Sequence, residues 1–179
     1  MKQPNYRCIF LFVLLILVLL SGCKKKHMGL ETGERMPAVS LSTLDGKLLH
    51  LPDDYRGKIL LVRFWSIDCH FCNKEILLGL DALHQKYKAQ GFVPIAVNES
   101  EPDKTDARMQ QFSALAYPML YDLNNAAARR FGIVVLPVTY VFDEQGILRE
   151  KITGEASLEE YEKLFTTVIN KGSLYESKK

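Results

Sequence analysis

Cys69 and Cys72, separated only by His70 and Phe71, form a C-x-x-C pair. Two thiols at that spacing can cycle between dithiol and disulfide. Only a thiolate attacks a disulfide, so the surroundings of the pair decide its reactivity. Ahead of it, Ile59-Leu60-Leu61-Val62-Arg63-Phe64-Trp65 reads as a buried strand, and behind it Glu75 to Leu83 carries helical periodicity. The spacing predicts a helix over about 70–90 that stops at Gly91. A dithiol at such a helix N-terminus lies near unpaired N–H groups and the positive end of the dipole, and both favour a thiolate. Cys69, the more exposed position, is expected to be the attacking nucleophile. Cys72, one turn further in, is expected to resolve the mixed disulfide. A positive charge on His70 would stabilise a neighbouring thiolate and make the disulfide more oxidising. Phe71 offers an apolar rim for a partner protein.

The other two cysteines have different surroundings. Cys8 precedes the apolar run Ile9 to Leu20, with Lys2 and Arg7 ahead of it, the n-region and h-region pattern of a secretory signal. At about 12 residues the run is well short of the roughly 20 that span a bilayer. Leu20-Ser21-Gly22-Cys23 then resembles the lipobox of bacterial lipoproteins, which implies cleavage before Cys23 and a lipid on that residue. Such an anchor holds a chain to a membrane surface without crossing it. Residues 1–22 are thus expected to be the signal, 23–36 a flexible lipidated tether, 37–172 the folded domain and 173–179 a polar tail.

The mature domain keeps only Cys69 and Cys72, outside the cytoplasm, where disulfides persist. Their loop is too short to staple a fold usefully. A structural zinc site needs about four ligands, and His27, His50, His70 and His84 are not in ligand spacing. No metal or other cofactor is expected beyond the Cys69–Cys72 redox couple itself.

About 157 residues beyond the signal are enough for one domain with a proper core. The formal net charge is +2, partly from Lys24-Lys25-Lys26 beside the anchor, and nothing in it suggests nucleic acid. Ala38–Leu41 and Leu48–Leu51 read as a small hairpin across Asp45-Gly46. After the strand 59–65 and its helix come a strand at Phe92–Val97, a helix at Thr105–Leu115, a short extension at Met119–Tyr121 and a helix at Ala126–Phe131. Pro94 fits badly in the middle of a strand. Val138–Phe142 and Leu148–Thr153 flank the turn Asp143-Glu144-Gln145-Gly146, and Leu158–Asn170 is an amphipathic helix. The pattern predicts an α/β domain with a mixed sheet flanked by helices; a monomer is expected.

Residues 36–171 resemble the thioredoxin superfamily, and more narrowly the TlpA/ResA/CcmG-like thiol-disulfide oxidoreductases. Four features carry the resemblance: Phe64-Trp65 ahead of Cys69-x-x-Cys72, the inserted helix and strand between Val97 and Asp122, Phe131 to Thr139, and Glu75 three residues after Cys72. It implies a thioredoxin-like fold, an N-terminal β-hairpin and an inserted helix and strand. It also implies a cis peptide before Pro137 that offers backbone to a substrate, and a proton-transfer role for Glu75. For partners it implies protein dithiols or disulfides, among them apocytochrome c, and a membrane thiol transporter as electron source. The site would then lie in the bacterial cell envelope, on the periplasmic side in a Gram-negative organism.

Three positions depart from the family pattern. Asp68 stands where relatives usually have Trp, and a carboxylate there opposes a Cys69 thiolate. His70-Phe71 lacks the proline common in that dipeptide. Arg63 stands where thioredoxins carry a buried Asp and many TlpA-like proteins an Asn. It could pair with Glu75 and hold it ionised, or snorkel to the edge of the sheet. Trp65 and Tyr117-Pro118 are expected to pack rather than react.

The expected activity is disulfide exchange with protein partners, running as a reductase by the resemblance. An oxidase or isomerase is the alternative that His70 leaves open. A peroxiredoxin shares the wider fold, but its P-x-x-x-T-x-x-C signature needs Pro at Val62 and Thr at Ser66. Copper-delivery relatives use C-x-x-x-C with a later His, and no His follows His84.

Overall fold

Strand β3 (Ile59–Trp65) organises the domain, because every one of its side chains is buried. The computed structural model describes residues 29–176 apart from Pro102 and Lys104, with side chains described as far as residue 170. The expected signal and Cys23 lie outside the described residues. The strands are β1 (Val39–Ser42), β2 (Leu48–Leu51), β3, β4 (Phe92–Asn98), β5 (Met119–Tyr121), β6 (Val138–Phe142) and β7 (Leu148–Thr153). They form a seven-stranded mixed sheet in the order β2-β1-β5-β4-β3-β6-β7. β3 runs parallel to β4 and antiparallel to β6. Successive side chains of a strand point to opposite faces, so β3 feeds two cores. Ile59, Leu61 and Trp65 join helices α1 (Glu75–Tyr87) and α4 (Leu158–Glu176) on one face. Leu60, Val62 and Phe64 join Phe131 of α3 (Ala126–Phe131) on the other. By the same parity Arg63 points into the α1/α4 face.

Pro94 sits inside β4 and is buried. β5 pairs only with Ala96–Asn98, so at Pro94 the strand has a ladder on the β3 side alone, where a missing N–H is tolerated.

Several boundaries differ from the sequence expectation, among them the last helix, which runs to Glu176 rather than ending at Asn170 and so takes in part of the expected tail at 173–179. α1 begins at Glu75 rather than near residue 70, so the C-x-x-C segment is a turn ahead of the helix. The Cys72 N–H donates to the Cys69 carbonyl at 3.3 Å. The next amides go to side chains: Asn73 N–H to Glu155 and Glu75 N–H to Asn73 Oδ1. At the other end α1 tightens into a 3-10 turn at Lys88–Gln90 and stops at Gly91, whose φ of +82° suits a residue without a Cβ.

The helix expected at 105–115 shrinks to α2 (Ala107–Gln110), capped by Asp106. Beyond it the Phe112 and Ser113 amides reach back only three residues, to Met109 and Gln110, and the Ala116 N–H donates to Asp81. That exit lets buried Tyr117 donate its hydroxyl to the Leu77 carbonyl of α1 at 2.8 Å.

The expected tether is also shorter, because residues from about 30 belong to the domain. The amides of Gly33 and Met36 donate to the carbonyls of Leu148 and Gly146, both at 2.8 Å, and Met36 is buried. Arg35 bridges Ile147 in the antiparallel sense. These contacts cover part of the otherwise open edge at the β6–β7 hairpin. Among the described residues no helix is long and apolar enough to cross a membrane.

Phe131 is fully buried, with ring centroids 4.9 Å from Phe64 and 5.4 Å from Tyr140. Phe131→Ala is expected to cost about 3–5 kcal/mol of stability, read from urea unfolding. The reduction potential should stay at the parent value, because this core lies across the sheet from Cys72.

Candidate active site

β3 ends at Trp65, and the chain then turns sharply to present the cysteines. Buried Asn98 at the end of β4 accepts from the amides of Ile67 (3.3 Å) and Ser100 (3.1 Å), tying together the loops that leave two adjacent strands. Cys69 and Cys72 are joined by a disulfide, with Cα atoms 5.4 Å apart. The two sulfurs are not equivalent: Cys72 is 3% exposed, whereas Cys69 is only partly buried. Cys69 Sγ lies 3.9 Å from the Leu136 carbonyl oxygen. The Leu136–Pro137 peptide is cis. The Pro137 carbonyl accepts from the Gly154 amide at 2.8 Å, which holds the proline loop against the end of β7.

Cys69 opens on a cleft of roughly 610 Å³ whose walls include Ser66, Asp68, Glu99, Arg129 and Val134 to Leu136. Phe71 (79% exposed) and Val134 (70%) are large apolar side chains left in solvent beside the reactive sulfur. Exposed aromatic and aliphatic groups around a reactive atom are what a protein partner would cover.

Charge is distributed unevenly around the cysteines. Asp68 accepts from Arg108 at 2.9 Å and from the Ser100 hydroxyl at 3.1 Å, and these bonds, Arg108 first, hold its carboxyl below the ordinary range. The carboxylate that the sequence sets against the Cys69 thiolate is therefore answered by a guanidinium. Lys74 Nζ donates to the Cys69 carbonyl. The exposed His70 ring sits edge-on to Phe71. Trp65 is buried edge-to-face with Phe112, centroids 5.6 Å apart.

Arg63 does not pair with Glu75, and it does not snorkel. It is fully buried, its Nη1 donating to Tyr161 Oη and its Nη2 to Glu155 Oε2, both at 2.7 Å. The reason is geometric: Arg63 points into the α1/α4 face, whereas Glu75 is exposed at the first turn of α1. Glu155 lies between β7 and α4, next to Tyr161's helix, and nothing in the sequence marks it among many glutamates.

Sequence reasoning also passed over Glu99. Burial, and then the neighbouring Asp122 carboxylate, raise its carboxyl pKa to about 7. Its Oε1 is buried without a hydrogen-bond partner among the described residues. Its position was available as a signal, since in α/β sheets reactive groups gather beyond the C-terminal ends of parallel strands. Glu99 directly follows β4, beside β3.

A mixed sheet of this order, with a C-x-x-C disulfide after its central strand and a cis-proline loop beside the outer sulfur, defines a thioredoxin-like thiol-disulfide oxidoreductase. The AhpC/TSA family model matches residues 32–151, and the chain belongs to that family. It is 30% identical over 168 residues to the thiol-disulfide oxidoreductase ResA of Bacillus cereus, covering 87% of this chain and 96% of the relative. It is likewise 30% identical to the thioredoxin-like protein YneN of Bacillus subtilis, covering 77% and 81%. Among solved structures, the thioredoxin domain of the thiol-disulfide oxidoreductase BVU-2223 of Bacteroides vulgatus superposes with a TM-score of 0.60 at 23% identity, covering 78% of this chain and 99% of that one. A protein from Chlorobium tepidum, named as a candidate thiol:disulfide interchange protein DsbE, reaches 0.70 at 22% identity, over 78% and 99%.

Glu99 makes one pH dependence testable. Its pKa is about 7 folded against an ordinary 4.5, so the native state holds the extra proton between those values. The cost of ionising the carboxyl is absent below pH 4.5, grows as pH rises, and is complete above about 7. Glu99→Gln removes that cost. It is expected to raise the melting temperature over the parent at pH 8 and to change it little at pH 4.5, read by paired thermal scans. An equal gain at both pH values would show that ionisation is not the cause.

Proposed function

We propose that the chain is a lipid-anchored, extracytoplasmic thiol-disulfide oxidoreductase that works as a reductase of protein disulfides, with the cysteines of apocytochrome c among its substrates. The observation that carries the exchange chemistry is the asymmetry of the two sulfurs. Cys69 faces an open, apolar-rimmed cleft beside the Leu136 carbonyl, and Cys72 is sealed behind it. In the reductive direction the Cys69 thiolate attacks a partner disulfide, forming a mixed disulfide and releasing one partner thiolate, which takes up a proton. The Cys72 thiolate then attacks Cys69 Sγ. The Cys69–Cys72 bond forms, the second partner sulfur leaves, and two electrons have passed to the partner. The backbone at cis-Pro137 supports the approach of an extended substrate. Two carboxyl groups are candidates to move protons: Glu75 at the start of α1, by the family resemblance, and Glu99 in the cleft. Glu99, with a pKa near neutrality, is the better matched to exchange at physiological pH.

The cellular part of the reading rests on the sequence: the Ile9–Leu20 run, Leu20-Ser21-Gly22-Cys23, and the likeness to proteins named ResA. A membrane dithiol transporter would return the Cys69–Cys72 disulfide to the dithiol.

Two measurements test this. Cys72→Ser should accumulate a mixed disulfide through Cys69 with an unfolded disulfide-bearing protein, and Cys69→Ser should accumulate none. The reduction potential of the Cys69–Cys72 couple should fall near or below roughly −250 mV, close to thioredoxin. A value near about −120 mV is that of a strong oxidant, and the reductase and cytochrome-maturation readings would then be abandoned.

A further inference from the structure

Arg63 is the one charged side chain that β3 carries into the core. Its neighbours in that face, on α1, α4 and β6, are apolar side chains, Tyr161 and Thr139. Its Nε has no hydrogen-bond partner among the described residues. Its single acidic partner among the described residues, Glu155, has a side chain 28% exposed. That same carboxylate oxygen, Oε2, also accepts the backbone N–H of Asn73 at 2.7 Å. Asn73 is covalently next to Cys72, the sealed sulfur. Arg63, Glu155 and the Cys72–Asn73 peptide therefore form one hydrogen-bonded chain. Cys72 shares its buried cluster with Tyr161, the second group that Arg63 holds.

We infer that the Arg63–Glu155 pair is a positioning and potential-setting device for the Cys69–Cys72 couple: Glu155 fixes the turn at the buried cysteine, and the balance between guanidinium and carboxylate sets how well the reduced state is stabilised. The inference rests on the disulfide-exchange reading of the site, not on its direction in the cell. Breaking the Cys69–Cys72 bond adds two electrons, and any negative charge left on Cys72 develops in a low-dielectric core where a nearby fixed charge acts strongly. A cation there favours the thiolate, and so the reduced form; a carboxylate opposes it. A buried ion pair is not needed for packing alone, since apolar side chains of similar volume often serve as well or better. What the pair adds is its field. Burial, and then the Asp81 carboxylate, push the Tyr117 hydroxyl pKa up; burial pushes that of Tyr161 up; the Arg63 guanidinium works against the rise in both. Other charged or titratable groups on this side of the sheet include Asp81, which acts on Tyr117, Lys74, whose ammonium donates to the Cys69 carbonyl, and Tyr161 on α4.

Two near-isosteric substitutions separate field from scaffold, because they push the charge in opposite directions. Arg63→Met leaves Glu155 unopposed, and Glu155→Gln leaves Arg63 unopposed while keeping an acceptor for the Asn73 amide. In full-length protein equilibrated with glutathione buffers at pH 7, Arg63→Met is expected to favour the disulfide by about tenfold, ~30 mV for a two-electron couple. Glu155→Gln is expected to favour the dithiol by a similar factor. The double variant should lie between them, and Arg63→Lys and Tyr161→Phe within about twofold of the parent. Shifts of the same sign in the two single variants, or none in variants that still unfold cooperatively, would overturn the inference. If Arg63→Met does not fold, Glu155→Gln against Arg63→Lys decides, since only the former should move. A parent that fails to exchange with glutathione at all would instead remove the disulfide-exchange reading beneath it.

Discussion

A strand buried on both faces at the centre of a sheet leaves its side chains no route to solvent, and that constraint on β3 governs the rest of the molecule. Its alternating residues divide the interior into two cores, one under α1 and α4 and one under α3. Its C-terminal end fixes where the cysteines emerge. Its central position between β4 and β6 brings the Asn98 loop to one side of the dithiol and the cis-proline loop to the other. An arginine in such a strand must be answered inside the protein, and Glu155 and Tyr161 are that answer. Because Glu155 also holds the amide beside Cys72, a demand of the core is transmitted directly to the active-site turn.

The site that results is polarised. Cys69 meets solvent, apolar side chains and a backbone carbonyl, and Cys72 meets only protein. The acidic groups differ correspondingly in character. Asp68 is exposed and held ionised by Arg108, so it acts as a fixed surface charge. Glu99 is partly removed from water and neighbours the Asp122 carboxylate, so it can change protonation near neutral pH. The same functional group, a side-chain carboxyl, is thus a permanent charge at one wall of the cleft and titratable near neutrality at another, and the surroundings make most of the difference.

The helix after the dithiol contributes less directly than its proximity suggests. Its first residue is Glu75, three beyond Cys72; the Asn73 amide is taken by the Glu155 side chain and the Glu75 amide by the Asn73 side chain. Donors that a helix terminus would otherwise offer to a thiolate are committed to shaping the turn. Electrostatic control of the cysteines therefore passes to side chains arriving from elsewhere: Arg63 from β3 and Glu155 from the β7–α4 connection.

The sequence by itself determined everything that depends on local pattern. The buried run of β3, the periodicity of α1 and α4, the hairpin turns and the C-x-x-C spacing sufficed for the fold class, the order of elements and the two reactive residues. The resemblance added the cis geometry at Pro137. Local pattern failed where a distant group claimed a backbone amide or offered an apolar surface. Glu155 delays the start of α1, Asp81 and Tyr117 cut α2 short, and the β6–β7 hairpin draws residues 30–36 out of the expected tether. Only the tertiary structure could give Arg63 its partner. Charge pairing in a core is decided by which elements converge on one face of a sheet, and Glu155 is 92 residues away along the chain.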